Sequence, residues 1–165
     1  MNKKIVFYLF AICLCLGISF VIYKKSQPEE MPVVYKSVVT NQIRCEEVNE
    51  FVYQKDGAVN LFFFSSKEAD SQFVIDNMIS AILKENNLSV INDLYYVDVS
   101  ELSTDTSEKY TKNLWGFYNC PTFLSMTIEN NQVKISDILE WDYTNPYTMD
   151  TIRTWLQEHK LIPQN

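Results

Sequence analysis

The chain has 165 residues, 47% of them hydrophobic and 21% charged, proportions that suit one globular domain with a single core. Its three glycines, Gly17, Gly57 and Gly116, stand too far apart for a phosphate-binding fingerprint. Its one histidine, His159, leaves most triad, zinc and imidazole-base chemistries short of a partner group, and no metal or cofactor is expected.

The N-terminus reads as a segment apart from the fold. A basic start at Lys3 and Lys4 precedes an unbroken apolar run from Ile5 to Tyr23, closed by Lys24 and Lys25. That length spans a bilayer as a helix, and no small-residue cleavage site follows it, so residues 5–23 are expected to stay as a single-pass anchor or signal-anchor. The lysines on the two sides nearly balance. The free amine tips the orientation towards residues 1–4 inside and the domain on the extracytoplasmic side. Cys13 and Cys15 lie within the run and behave there as small hydrophobes. Four of the 14 basic residues and none of the 21 acidic ones precede Pro28, which leaves the rest of the chain a formal charge of −11. Nucleic acid is thereby disfavoured as a partner. Residues 24–32 read as a polar, proline-bearing spacer, and 33–165 as the folded domain.

From Val33 the pattern alternates. "VVYKSVVT" is β-branched and predicts a first strand over 33–40. "NQIRCEEVNEFVYQKDG" then puts Ile43, Val48, Phe51 and Val52 near one helical face, ended by Gly57. "AVNLFFFS" is a continuous apolar run of strand length, as a strand covered on both faces requires. "SSKEADSQFVIDNMISAILKENN" carries Val74, Ile75, Met78, Ile79, Ile82 and Leu83 at helical spacing. Its first residues fit a capping box, with Ser65 as the cap and Glu68 reaching back, together worth about 1 kcal/mol. "LYYVDVS" predicts a third strand and "SEKYTKNLW" a short helix. "PTFLSMTIENNQVKISDILEW" predicts two strands joined at Asn130 and Asn131, and a last helix from Thr148 turns Ile152, Trp155 and Leu156 inward. The order strand, helix, strand, helix, strand, helix, hairpin, helix predicts an α/β fold, a mixed sheet with helices on both faces.

Over nearly all of the chain after the anchor, the domain resembles the thioredoxin family. The most specific piece is "WGFYNCPTF", Trp115 to Phe123, which is similar to the family's aromatic-glycine stretch followed by Pro-Thr and a strand. The resemblance implies that Pro121 is cis and faces the start of the helix after the central strand. It also implies a groove bordered by Trp115, Phe117, Tyr118, Cys120, Pro121 and Thr122, where a peptide strand pairs with the backbone before the proline. The family's chemistry needs two cysteines two residues apart at that helix start, and here Glu68 and Ser71 stand in those places. Phe62 falls near the position where many redox-active members bury an acid.

Cys120 then has three readings: a small hydrophobe filling the usual aliphatic place, a reactive single thiol, or the partner of Cys45 in a disulfide. A carboxylate at Glu68 would raise its pKa and make it a poor nucleophile. Two functional classes follow. One is a membrane-tethered thioredoxin-like domain without the redox pair, binding extended segments of secreted or cell-envelope proteins by strand addition. The other is a thiol-disulfide oxidoreductase or isomerase-like accessory in the maturation of secreted peptides of the bacteriocin type, working through Cys120 alone. A structural role through the acidic face is a third possibility.

The anchor generates a direct test. N-terminal sequencing of the protein extracted from membranes is expected to return the residues ahead of the apolar run; a mature start after about residue 25 would show a cleaved signal instead.

Overall fold

A computed structural model describes residues 38–164, Ser103 excepted, all of them within the unit Pro32–Asn165. The expected anchor at 5–23, the segments flanking it and residues 33–37 lie outside the described residues. Among the described residues no helix is long and apolar enough to cross a membrane.

The first strand, β1, is Gln42–Ile43, and it corrects the sequence reading twice. Val38, Val39 and Thr40, expected in a strand, pair with nothing in the sheet, while Gln42 and Ile43, assigned to the first helix, do. The side chain that reaches the core sets the register: Ile43 is buried beside Val97 while Gln42 stays outside. Asn41 fixes the strand's entry, its carbonyl accepting from Tyr96 N–H at 2.8 Å and its amide donating to the Asn92 carbonyl at 2.6 Å. A short 3-10 turn, Cys45–Glu47, leads into α1, Val48–Tyr53, which buries Val48 and Val52 one turn apart. Gly57 then takes a positive φ of 90°, open to glycine at little cost, and the chain enters the sheet again.

Strand β2, Val59–Phe64, is buried at every residue. It lies between β3, Leu94–Asp98, which runs parallel to it, and β4, Thr122–Glu129, which runs antiparallel. Beyond β4 the edge strand β5, Gln132–Glu140, completes the order β1-β3-β2-β4-β5. Asn130 and Asn131, both left-handed at φ 52° and 60°, make the hairpin turn where it was expected. Side chains alternate across the sheet. Val59, Leu61 and Phe63 join Val48, Val52, Trp115 and Phe117 on one face. On the other, Phe62 packs against Phe123 at 4.5 Å, Tyr96 at 5.8 Å and Phe64 at 5.8 Å between ring centroids.

The helix after β2 is continuous but not uniform: α2, Ala69–Phe73, passes through a π-helical stretch, Val74–Ile79, into α3, Ser80–Glu85. Within it the Ser80 hydroxyl donates to the Ile75 carbonyl five residues back at 3.0 Å, which satisfies a backbone acceptor in the widened turn. Val74, Ile75, Ile79 and Ile82 are fully buried, as their spacing predicts. Helix α4, Thr104–Trp115, is longer than the expected short helix, and α5, Met149–Glu158, begins at the Thr148 cap. There Thr148 Oγ1 accepts from Thr151 N–H at 3.2 Å and Thr148 N–H donates to Thr151 Oγ1 at 3.3 Å. The strand order, the strand directions and the cis Cys120–Pro121 peptide ahead of β4 together make a thioredoxin-like α/β fold.

Phe62 sits at the centre of this packing. Phe62→Ala is expected to lower stability by about 3–5 kcal/mol in urea unfolding of the full chain in detergent. The exposed Tyr53→Ala should change it by no more than about 0.5 kcal/mol. Equal losses for the two would show that β2 is not the packing centre.

Candidate functional site

The segment after α4 is built by alternation. Trp115 closes the helix at 1% exposure, Gly116 reverses the chain at φ 77°, and Phe117 inserts fully into the core, 5.0 Å from Phe63. Trp115 and Phe117, expected along the groove, are therefore core residues whose aromatic area is spent on the sheet. Thr122 is buried as well, its hydroxyl donating to the Asn119 carbonyl at 2.6 Å, and Pro121 is buried beside it. Of the six residues expected to border the groove only Tyr118 is exposed, at 52%.

The loop from Tyr118 to Pro121 is clamped by residues more than 20 positions away. Glu140, at the end of β5, accepts from Tyr118 N–H at 2.7 Å and from Asn119 N–H at 2.8 Å with one carboxylate oxygen. The Asn119 amide donates to the Trp141 carbonyl at 3.1 Å, and Tyr147 OH donates to the Pro121 carbonyl at 3.0 Å. Sequence reasoning missed Glu140 and Tyr147. No local pattern marks either, because their partners belong to another strand end. Between these clamps, no hydrogen bond among the described residues takes up the N–H or C=O of Cys120.

The capping box expected at Ser65 and Glu68 does not form. The chain first makes a turn, Glu68 N–H donating to the Ser65 carbonyl at 3.1 Å, and the helix starts only at Ala69. Glu68 holds the cap position with an extended backbone, and its side chain makes no cap hydrogen bond. Ser65 thus lies a full turn too early to reach the free helical N–H groups. Instead Ser71, wholly buried, accepts from Ser65 N–H at 3.0 Å. Ser66 ties the turn to the end of β3, through its N–H to Asp98 at 3.2 Å and its hydroxyl to Ser100 at 2.9 Å. Glu68 is thus an exposed carboxylate at the helix start, Ser71 a structural hydroxyl, and Phe62 a fully buried core residue.

Burial pushes the Cys120 thiol far above its ordinary range, and Glu68, then Cys45, Asp98 and Glu140, push it further. Cys45, whose Sγ donates to the Asp98 carbonyl at 3.5 Å, is pushed up to about 12 by burial first and by Glu46 and Asp98 next. Both thiols are free, so the disulfide alternative is not formed. Glu68 itself is raised, by burial and then by the neighbouring Asp70. Three hollows of about 350, 480 and 410 Å³ lie beside α1, beside the C-terminal segment and between β5 and α5; none of them borders Cys120, Pro121 or Glu68. Among the described residues no three His, Cys, Asp or Glu gather to hold a metal.

No protein-family model matches the chain, and no curated protein does. Solved structures similar to it include a Trichomonas vaginalis thioredoxin at 17% identity, covering 74% of this chain and 97% of that one with a TM-score of 0.46. A Fasciola hepatica thioredoxin stands at 16%, 73% and 99% with 0.46, and Chlamydomonas reinhardtii thioredoxin f2 at 14%, 74% and 97% with 0.47. At such identities the thioredoxin-like architecture stands on the strand order and directions described above.

The thiol shifts fix a pH dependence. A cysteine ionises near pH 8.5 when unfolded, and both of these hold their protons to higher pH when folded, so above that point the native state binds more protons. Stability is therefore held up to about pH 9 and falls from there towards about 12, with the buried phenols Tyr96 and Tyr147 adding to the fall only above about pH 10. Thermal unfolding of Cys45→Ala/Cys120→Ala should show a shallower decline from pH 9 than the parent chain. A parallel decline would place the titration elsewhere.

Proposed function

We propose that this chain is a membrane-tethered peptide-binding module, a thioredoxin-like domain that presents a strand-pairing groove without dithiol chemistry. The observation that carries the reading is the backbone of Cys120: its N–H and C=O are unengaged among the described residues, in a loop held rigid on both sides by Glu140 and Tyr147. An extended peptide laid there gains main-chain hydrogen bonds at little reorganisation cost, which is strand addition. The ligand class is an extended segment of a secreted or cell-envelope protein. The tether is the apolar segment 5–23, with the domain on the extracytoplasmic side.

Enzymatic exchange through the single thiol is the weaker reading on physical grounds. The attacking species is the thiolate, and burial with three carboxylates nearby keeps Cys120 protonated at neutral pH. A mixed disulfide at Cys120 would also need a second thiol to release it, and Cys45 is itself buried and protonated.

Insulin reduction by dithiothreitol, followed in the presence of the detergent-solubilised full chain, is expected to match the protein-free rate and that of Cys120→Ser. Acceleration by the parent chain and its loss in Cys120→Ser would replace the binding module by a single-thiol enzyme. Binding itself is tested on the ligand side: an extended Val/Thr peptide should bind, and N-methylation at alternate positions should weaken it on one edge only. Equal effects at every position would defeat strand addition.

A further inference from the structure

The sheet has two outer edges of unequal length. β1 offers two residues, whereas β5 offers nine, with β4 as its only strand partner among the described residues. Outside that ladder no main-chain hydrogen bond among the described residues engages Gln132 to Glu140, and an edge in that state is a template for one more strand. A bulge sorts its side chains. Ile135 pairs with Met126 and Asp137 with Ser125, so Ser136 is an extra residue and the alternation of faces breaks there. Val133, Ile135 and Ile138, opposite Ile128, Met126 and Leu124, lie on the face of α1 and α4, and Ile138 is still 37% exposed. Gln132, Lys134, Asp137 and Leu139 lie on the α5 face, where Asp137 Oδ2 is 3.0 Å from His159 Nε2.

The break makes the strand match itself. Turned end for end about the point between Ile135 and Ser136, β5 meets a second β5 with Val133 opposite Ile138 on one face, and with Lys134 opposite Asp137 and Gln132 opposite Leu139 on the other. A slip of one residue puts the faces out of step. A slip of two keeps them in step, but it sets Lys134 opposite Leu139 and leaves Asp137 facing no ammonium. We infer that β5 is the contact between two copies of this chain, paired antiparallel about a two-fold axis between Ile135 and Ser136. Glu140 lies beyond the ladder and keeps its hold on Tyr118 and Asn119, so the contact does not depend on the peptide-binding reading.

Charge chooses the register. Lys134 already meets Glu129 at 3.0 Å and Asp137 meets His159, yet their side chains are 61% and 41% exposed and each has capacity left. Asp137 spends Oδ2 on His159 and keeps Oδ1, and the ammonium has a further N–H to give. The two-fold axis makes the Lys134–Asp137 pair twice, whereas like charges set opposite would repel. Exposed ion pairs add little affinity, so the backbone ladder and the covering of Val133 and Ile138 supply the attraction, and a contact of this size makes a weak, reversible dimer. A lysine and a bulge usually deter pairing on an edge strand; here both fall where a two-fold copy matches them. The hollow of about 410 Å³ between Leu139 and α5 lies beside the same edge, with Thr151, Thr154 and Glu158 in its wall. Gln132 of the second copy, opposite Leu139, brings to it an amide that both gives and accepts hydrogen bonds.

The test uses the full chain in detergent, labelled at its terminal amine with donor or acceptor dye, and reads energy transfer as the protein concentration is raised. The parent is expected to self-associate. Lys134→Asp and Asp137→Lys should each weaken that association about tenfold, because each sets like charges opposite one another twice. Donor-labelled Lys134→Asp mixed with acceptor-labelled Asp137→Lys should regain it, since acid then meets base at both positions. So should the exchange Lys134→Asp/Asp137→Lys within one chain, which keeps the parent's net charge. A parent that stays monomeric would overturn the proposal, and slower exchange of its β5 amides on adding an extended Val/Thr peptide would give the edge to a different protein. Transfer unchanged in both single variants would place the contact elsewhere on the chain and overturn it too. Loss in each single variant with no recovery in the mixture or in the exchanged chain would show that Lys134 and Asp137 do not meet, and the two-fold register would fall with it.

Discussion

Burial of β2 on both faces is the constraint on which the rest of the structure depends. A strand with six buried residues in a row has no face left for water, so the chain must supply a layer on each side and a paired strand along each edge. The parallel partner, β3, needs a helical crossover, which α2, the π-helical stretch and α3 provide on one face; the antiparallel partner, β4, is reached after α4 on the other. The C-terminal ends of β2 and β3 and the entry to β4 then meet at one end of the sheet. That meeting brings Ser66, Asp98, Glu68 and Cys120 into reach of one another, although more than 50 residues separate the first from the last.

The same constraint explains what fills the middle of β2 and the start of the helix after it. A buried acid in the middle of β2 would carry a desolvation cost of several kcal/mol, which a proton-transfer role could justify. Phe62 carries no such cost, and its ring joins Phe123, Tyr96 and Phe64. At the helix start, Ser71 serves the turn geometry through Ser65 N–H, and Glu68, exposed, makes no ion pair among the described residues. Two of the three positions are thus explained by packing and hydrogen bonding. Glu68 contributes through its backbone, its side chain making no cap hydrogen bond.

Legibility in the sequence followed the range of the deciding interaction. β2, the Asn130–Asn131 turn and α5 were readable because continuous apolar length, left-handed asparagines and a threonine cap are local signals. β1 was not: Val38 to Thr40 have the better strand propensity, but Gln42 and Ile43 are the residues that meet Tyr96 and Val97, and a two-residue edge strand is chosen by its neighbour. The cap at Ser65 failed for a similar reason, since "SSKE" fits a capping box in isolation while Asp98 and Ser100 hold the segment as a turn. The cis Cys120–Pro121 peptide was legible from the motif. The burial of Trp115, Phe117 and Thr122 was not, because an aromatic run does not say which rings alternate inward. Glu140 and Tyr147 depend on the β4–β5 pairing and could be found only once that register was known.

The electrostatics around Cys120 bear on whether its thiol can act as a nucleophile. A thioredoxin-type nucleophile needs a field that favours negative charge where the thiol sits, and a helix start with free N–H groups supplies one. Here the Glu68, Asp98 and Glu140 carboxylates reverse that field at Cys120, and burial removes the water that would soften it. Burial and charge thus act on Cys120 in the same direction, both favouring the protonated thiol.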